Sequence, residues 1–367
     1  MGEYVILNIP PGNYTVKASY IGYASYKVTN VRVSLDRTTN QDFALKEAVI
    51  EGEEVVVLAD RPLVYKDLTA SQKITTSDEI KIMPVETFLG VLTTQAGVNQ
   101  GAGGELHIRG GRSNEVGYYI DGVSVANPFF TNGLAVSISN KALEEMKVVS
   151  GAFNAEYGNA MSGIVNLQVK DGGKDYHGSL SYQSGDHQST DTQIFTNIDQ
   201  FSLFTNKVLE GTINGPMPFM KNKEQFTFNL SARYSDSEGY YYGIREHTVS
   251  DSADFRNDDN WYIEMNGDSS YVPMSPRKNL NLMGKFTYRV SPLLKVSLQL
   301  LHSGGKSKSY SHIYKYNPDG TSTAQSANNN YSIKLNHALG ARNFYEANLS
   351  FSNTNYMGYQ FKPIDLS

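Results

Sequence analysis

The chain has no cysteine in 367 residues, so no disulfide braces it and no thiolate can hold a metal or attack a substrate. It has no run of about 18 apolar residues, which excludes a transmembrane helix. Histidine is sparse. None of His107, His177, His187, His247, His302, His312 and His337 is followed by Glu three residues on, the spacing a zinc carboxypeptidase needs. A His-Glu-x-x-His helix motif and a Gly-x-Ser-x-Gly elbow are also missing, so the residues give catalysis no support. Positive charge is not in excess either. With 32 Lys+Arg against 37 Asp+Glu the formal net charge is -5, which argues against a nucleic-acid partner.

What is abundant is tyrosine, 25 residues, with 16 phenylalanines and 32 glycines, at a mean hydropathy of -0.40. A membrane barrel suits that mixture, because its strands show only alternate residues to lipid and average out as polar. The length calls for two or three domains. Met1-Gly2-Glu3 runs straight into Tyr4-Val5-Ile6-Leu7 without the basic, apolar and small-residue pattern of a signal peptide. The expectation is an internal piece of a longer exported protein.

Two stretches carry the most information: GELHIRGGRSNEVGYYIDGVSV over 104–125 and GAFNAEYGNAMSGIVNLQVKDGG over 151–173. In LHIRG, Leu106 and Ile108 share one strand face while His107 and Arg109 take the other. Gly110-Gly111 then permits a turn. A second short strand contains Asp121-Gly122, a hairpin signal, and a third runs from Ile164 to Val169. A short helix is expected over Asn140 to Met146, where Leu143 and Met146 stand three apart, giving a compact α+β unit. The glycines at 101, 103 and 104 do not form a nucleotide loop, because no lysine with Ser or Thr closes it. Arg-Gly-Gly-Arg at 109–112 is single and lacks the repeats of an RNA-binding tract.

These two stretches resemble the plug domain of TonB-dependent outer-membrane receptors, gated barrels that import scarce nutrients. The resemblance implies a plug over 70–172. Ahead of it, residues 1–47 alternate well in Tyr14-Val16-Ala18-Tyr20 and resemble the second half of a carboxypeptidase-regulatory-like β-sandwich. Residues 48–69 form a linker, within which Glu53, Glu54, Val55, Val56, Val57, Leu58 and Ala59 resemble a TonB box. A β-branched run of this kind can add as a strand to the sheet edge of TonB, the implied periplasmic partner. Its other readings are the last strand of the sandwich and an incidental β-prone linker.

A plug demands a barrel, and residues 173–367 read as the start of one. Phe226, Phe228, Leu230, Ala232 and Tyr234 alternate with polar residues, as do Leu280, Leu282, Gly284, Phe286, Tyr288 and Val290. Leu294 to Leu300, Tyr331 to Leu335 and Tyr345 to Phe351 repeat the pattern, and weaker strands lie near 176–184 and 205–215. About seven strands follow, joined alternately by short links and by polar loops of roughly 20, 40 and 25 residues, the signature of short periplasmic turns and long external loops. A soluble sandwich has no reason to keep that alternation. The expected fold class is therefore mainly β: a sandwich remnant, an α+β plug, and the first ~7 antiparallel strands of a barrel that needs about 22 to enclose a plug.

The expected location is the outer membrane, in contact with its lipid, with plug and N-terminal module facing the periplasm. Tyr240, Tyr241, Tyr242, Trp261 and Tyr262 in the longest loop are candidates to stack on an unidentified nutrient ligand. An interfacial girdle is the better account of Tyr240 to Tyr242. Asp251, Asp254, Asp258 and Asp259 lack the spacing of a calcium loop and read as solvated. From charge alone, Arg109 and Arg112 are expected to pair with carboxylates inside the barrel as a reversible latch, although Arg112 also suits a solvent-facing place. No bound cofactor is required, since the energy comes through TonB. The rival function is a surface binding or adhesion protein in which plug and barrel only anchor the chain, and it would not need Val55 to Val57.

Overall fold

The computed structural model describes residues 2–7, 9–35, 37–47, 54–58, 71–85, 87–101, 105–125, 138–151, 158, 160–220, 222–257, 259–340 and 343–361. At the N-terminus, β1 (Gly12–Ala18) and β2 (Ser25–Val33) pair antiparallel. A third strand, β3 (Glu54–Leu58), lies parallel to β2, with Ser25 opposite Glu54 and Thr29 opposite Leu58. The segment that resembles a TonB box is therefore the edge strand of this small sheet. Its outer edge carries no strand among the described residues, and Val56 and Leu58 are exposed. Glu53 and Ala59 lie outside the described residues.

The next body contains β4 (Ser71–Thr76), α1 (Ser77–Ile82), α2 (Phe88–Thr93), β5 (Val98–Gln100), β6 (Leu106–Ile108), β7 (Val116–Ile120), β8 (Val123–Ser124), β9 (Leu143–Ser150) and β10 (Gly163–Val169). Five of these strands form a mixed sheet in the order β4-β9-β10-β7-β8, with β10 parallel to β7 and antiparallel to β9. Helix α1 starts on a capping box between Thr76 and Glu79, which satisfies two otherwise orphan N–H groups. Its core is apolar and dry: Val91, Leu92, Ile120, Leu143, Ile164 and Leu167 are fully buried. As the alternation requires, Leu106 and Ile108 point into this core and His107 does not.

Two local expectations need correction. The helix expected over Asn140 to Met146 is a single 3-10 turn, Asn140–Ala142, followed directly by β9. Pairing with β4 on one side and β10 on the other outweighs a seven-residue helical pattern. The misleading spacing has a physical origin in a bulge. Glu145 faces Gln168 but Leu143 faces Val169, so Glu144 is an extra residue. One inserted residue lets positions three apart share a face, and Leu143 and Met146 are both fully buried. The second correction moves the turn after β6 back by one residue. Arg109 (φ 50) and Gly110 (φ 75) occupy its centre, and Gly111 N–H donates to the Ile108 carbonyl at 3.0 Å.

The remaining strands form one antiparallel meander of seven. They are β11 (His177–Gly185), β12 (Asn206–Pro216), β13 (Phe226–Ser237), β18 (Arg277–Ser291), β19 (Leu294–Lys308), β20 (Thr323–Ala338) and β21 (Phe344–Tyr359). Two small hairpins in the longest loop supply β14 (Tyr242–Ile244), β15 (Ala253–Asp254), β16 (Tyr262–Ile263) and β17 (Tyr271–Pro273). Short links at 217–225, 292–293 and 339–343 alternate with longer ones at 186–205, 238–276 and 309–322. The last is shorter than the expected roughly 25 residues, because β19 and β20 continue past their apolar stretches into the polar ends that barrel strands extend beyond the membrane.

Burial across the meander is inverted relative to a water-soluble sheet. Leu180, Ile213, Leu282, Leu298, Ile333, Leu349 and Phe351 are exposed, whereas Thr227, Asn229, Lys285, Thr287, Gln299 and Asn330 are buried. Apolar side chains facing out and polar ones facing in is stable only where the outer medium is hydrocarbon. Introducing Arg at Leu282, mid-strand on the outer face, should therefore cost about 2–4 kcal/mol of folded stability in lipid. Arg at Asn281, on the inner face, should cost far less, and urea unfolding in vesicles compares the two.

Candidate functional site between plug and wall

The polar inner face of the wall has to meet the plug, and the meeting point is built from backbone geometry upward. Between β7 and β8 the chain turns on Asp121 (φ 51) and Gly122 (φ 85), as the Asp-Gly signal predicts. Asp121 N–H donates to the Leu167 carbonyl at 2.9 Å, and its Oδ1 accepts from Val169 N–H at 3.0 Å. The carboxylate is thereby pinned with Oδ2 directed at the wall, where Gln299 Nε2 donates at 3.0 Å and Lys285 Nζ stands at 2.9 Å.

Just beyond β10, Asp171 supplies a second carboxylate. Lys285 Nζ lies 2.7 Å from its Oδ1, and Lys295 Nζ lies 3.6 Å from its Oδ2. Lys285 also donates to the Val169 carbonyl at 3.0 Å, so three acceptors surround an ammonium that has three donors. Its side chain is only 5% exposed, against 8% for Asp121 and 10% for Asp171. Burial by itself would raise the Asp171 carboxyl, but the ammonium of Lys285, then that of Lys295, outweighs it and holds the group well below the usual carboxylate range. Lys334 extends the cluster, donating to the Asp121 carbonyl at 3.2 Å and pairing with Glu346 at 2.6 Å. Close approach here needs glycine: a Cβ on Gly172 would sit 2.4 Å from the Phe228 carbonyl oxygen.

A second contact joins the 3-10 turn Asn140–Ala142 and its cap to the wall. Glu210 of β12 accepts a hydrogen bond from Ser139 Oγ and lies 3.5 Å from both Lys141 and Arg233. Lys141 Nζ also donates to Ser181 Oγ of β11 at 2.6 Å.

Among the described residues, the expected arginine latch does not join plug and wall. Arg109 sits in the turn after β6, and Arg112 precedes the 3-10 turn Ser113–Glu115 with its N–H donating to Glu115 Oε2 at 3.1 Å. Among the described residues neither guanidinium pairs with a wall carboxylate. Gly111 instead packs so closely that an added Cβ would meet Ser162 Cβ at 2.2 Å. The main junction has the reverse polarity, plug carboxylates against wall lysines. Of the residues singled out from sequence, Asp121 and Gly122 lie at this junction. Asp171, Lys285, Lys295 and Lys334 were missed, although an inward lysine in mid-strand such as Lys285 is a signal that alternation exposes.

Above the junction, Tyr240 and Tyr241 do not stand as a girdle at strand ends but join an aromatic cluster from three loops. Tyr241 stacks on Tyr310 at 4.4 Å, Phe195 lies 5.6 Å from Tyr241, and His187 lies 5.4 Å from Tyr240. Arg245 ties two of these loops, donating to Asp319 at 2.6 Å and Asp268 at 3.0 Å. Tyr242 is part-buried and its hydroxyl donates to Glu238 at 3.1 Å. Trp261 packs edge-on against Phe255, and Tyr262 donates to Glu264, both on the β15–β16 hairpin away from the cluster. Asp251 is taken up as a turn acceptor by Thr248 and Asn266, while Asp258 lies outside the described residues.

A mixed α+β plug clamped to the polar face of an apolar-outside antiparallel wall defines a plugged outer-membrane barrel. Residues 65–164 match the family model of the TonB-dependent receptor plug domain, and residues 1–46 match the carboxypeptidase regulatory-like domain. The chain is 24% identical to the TonB-dependent transporter Oar of Myxococcus xanthus over 82% of its own length and 29% of that protein. It is 26% identical to the vitamin B12 transporter BtuB of Vibrio vulnificus over 60% of its own length and 35% of that protein. In fold it resembles the outer membrane transporter YddB from Escherichia coli, with a TM-score of 0.56 at 14% identity, covering 77% of this chain and 38% of that one. The chain thus spans about a third of the length of the curated relatives it matches. It carries a TonB-dependent receptor plug domain, preceded by a carboxypeptidase regulatory-like domain.

Two outcomes follow from the charge cluster. Lys285→Met removes the cation that Asp121 and Asp171 share, leaving Asp171 only Lys295 at 3.6 Å, and should destabilise plug seating by about 3–5 kcal/mol, read as lost hydrogen-exchange protection in β10. For pH, the folded value of Asp171 lies below its unfolded value of about 3.9, so its stabilising effect is fully present above that point. Protection should stay level from pH 8 to about 5 and fall as the pH drops below about 4, and Asp171→Asn should remove that component of the fall.

Proposed function

We propose that this chain forms the plug and the adjoining wall of a receptor that imports a scarce nutrient by TonB-coupled opening of its barrel. The observation that carries the reading is the kind of contact between plug and wall. Lys285, Asp121 and Asp171 form a polar clamp, which water can solvate once the plug shifts, and the apolar part of the contact among the described residues is confined to Met283 and Leu301 of the wall. The names of the relatives support the reading, since Oar is described as a TonB-dependent transporter and BtuB as a vitamin B12 transporter.

In this reading substrate first meets the external loops, where Phe195, Tyr240, Tyr241 and Tyr310 present stacked rings suited to a ligand with a flat or ring-shaped face. TonB then adds a strand to residues 53–59 at the edge of β3 that carries no strand among the described residues. Its pull on that segment moves the plug and opens a path along the polar face of the wall. The Asp121, Asp171 and Lys285 contacts are broken and remade in each cycle, so the latch role expected of Arg109 and Arg112 passes to them.

Replacing Val56 by Pro in the intact receptor removes a backbone donor from this strand and should block strand addition. At matched surface expression, uptake of a radiolabelled candidate nutrient should be lost while binding is retained. Unchanged uptake would reject residues 53–59 as the coupling segment.

A further inference from the structure

A polar cavity of about 510 Å³ lies between the plug and the wall. Its wall side is lined by Lys285, Lys295, Ser297 and Lys334, and its plug side by Asp121 and Asn166. It is closed by neither of them alone. Pro10, Pro11, Val33, Leu35 and Arg37 of the N-terminal sheet and its loops complete the lining.

The contact that holds this sheet in place is specific. Arg32, at the end of β2, donates from Nη2 to Glu145 Oε2 at 2.8 Å and lies 3.6 Å from Glu144 Oε1. Leu35 N–H donates to the other oxygen of Glu145 at 2.9 Å. The Glu145 side chain is fully buried, so the module covers it rather than grazing it. The bulge in β9 explains how two consecutive acids can face one guanidinium, because the extra residue turns Glu144 towards the side that Glu145 already takes. Tyr14 of β1 sits at the same seam. Burial, then the carboxylates of Asp171 and Glu144, push its phenol up to about 12.

The same β2 that carries Arg32 is paired with β3 over its first five residues, Ser25 to Thr29. We propose that the N-terminal sheet is a lid on the short-turn side of the plug–wall cavity, latched by Arg32 to Glu145, and that β3 is the handle by which it is withdrawn. This rests on the reading of residues 53–59 as the coupling segment. Force applied to β3 passes across its ladder to β2, from Arg32 to Glu145, and so into the central strand β9 of the plug. The latch yields before the plug sheet does, because it is one guanidinium on two carboxylates and one backbone hydrogen bond against seven paired positions between β9 and β10.

The test uses the intact receptor in cells, with any thiol elsewhere replaced and Ser297→Cys installed in the cavity wall. A small maleimide reaching the periplasm is the probe. Labelling should be slow without the ion gradient. Arg32→Ala should accelerate it at least about tenfold in the same un-energised cells, the equivalent of one lost hydrogen bond to a charged group. The exchange Arg32→Glu with Glu145→Arg should slow it again. Should Arg32→Ala fail to reach the surface, Glu145→Gln carries the same expectation with little change of shape. Energising the cells should accelerate labelling in the parent and not in Val56→Pro. A surface-expressed Arg32→Ala or Glu145→Gln that labels no faster overturns the lid, and energised labelling indifferent to Val56→Pro overturns the handle. Uptake is scored separately: import that persists without the gradient sinks the transport reading, whereas unchanged labelling with gradient-dependent import sinks the lid alone.

Discussion

One buried ammonium organises the relation between the two larger bodies of this chain. Lys285 of the wall reaches a carboxylate from the β7–β8 turn, a carboxylate from the strand end that leaves the plug, and a backbone carbonyl between them. Taking such a charge out of water costs several kcal/mol unless every donor is matched. Here the match comes from three points that only the folded plug brings together. The cluster therefore reports correct seating of the plug: a plug displaced by one residue would leave a charge stranded on the inner surface of the wall.

The wall makes that arrangement necessary. A sheet facing hydrocarbon must place its apolar side chains outward, so the surface left for the plug is made of Thr227, Asn229, Lys285, Gln299 and Asn330. A plug with a wholly apolar outer surface would find few partners there beyond Met283 and Leu301, which pack against the apolar core of this plug. Elsewhere this plug presents turns, strand ends and charged groups. The glycine at 172 and the Asp121-Gly122 turn let its backbone approach the wall closely enough for direct contact. Polar contacts of this kind are strong when complete and readily replaced by water, which suits a seal that has to open.

Much of this was legible in the residues, and the failures have identifiable causes. Period-two alternation placed the wall strands because the membrane enforces it residue by residue over Phe226 to Tyr234 and Leu280 to Val290. It missed the outer ends of β19 and β20, where Ser303 to Lys308 and Thr323 to Asn330 pair without lying against lipid and so carry no apolar signature. The short helix over Asn140 to Met146 was misread because a bulge inserts one residue and imitates helical spacing. The latch was assigned to Arg109 and Arg112 on charge alone, and charge does not say which way a side chain faces or what stands opposite. The segment 53–59 was recognised as β-prone, yet its parallel pairing with β2, between partners 29 positions apart, had no local signal.

By itself the sequence determined the period of each strand, the sign of each face, the Asp-Gly turn and the apolar core of the plug, because these depend on neighbours a few positions away. The tertiary structure alone decided which charges meet: Asp121 with Lys285, Glu145 with Arg32, Glu210 with Lys141. Those pairs join positions from about 70 to more than 160 residues apart, and a Coulomb interaction depends on separation in space, which the order of residues along the chain does not encode.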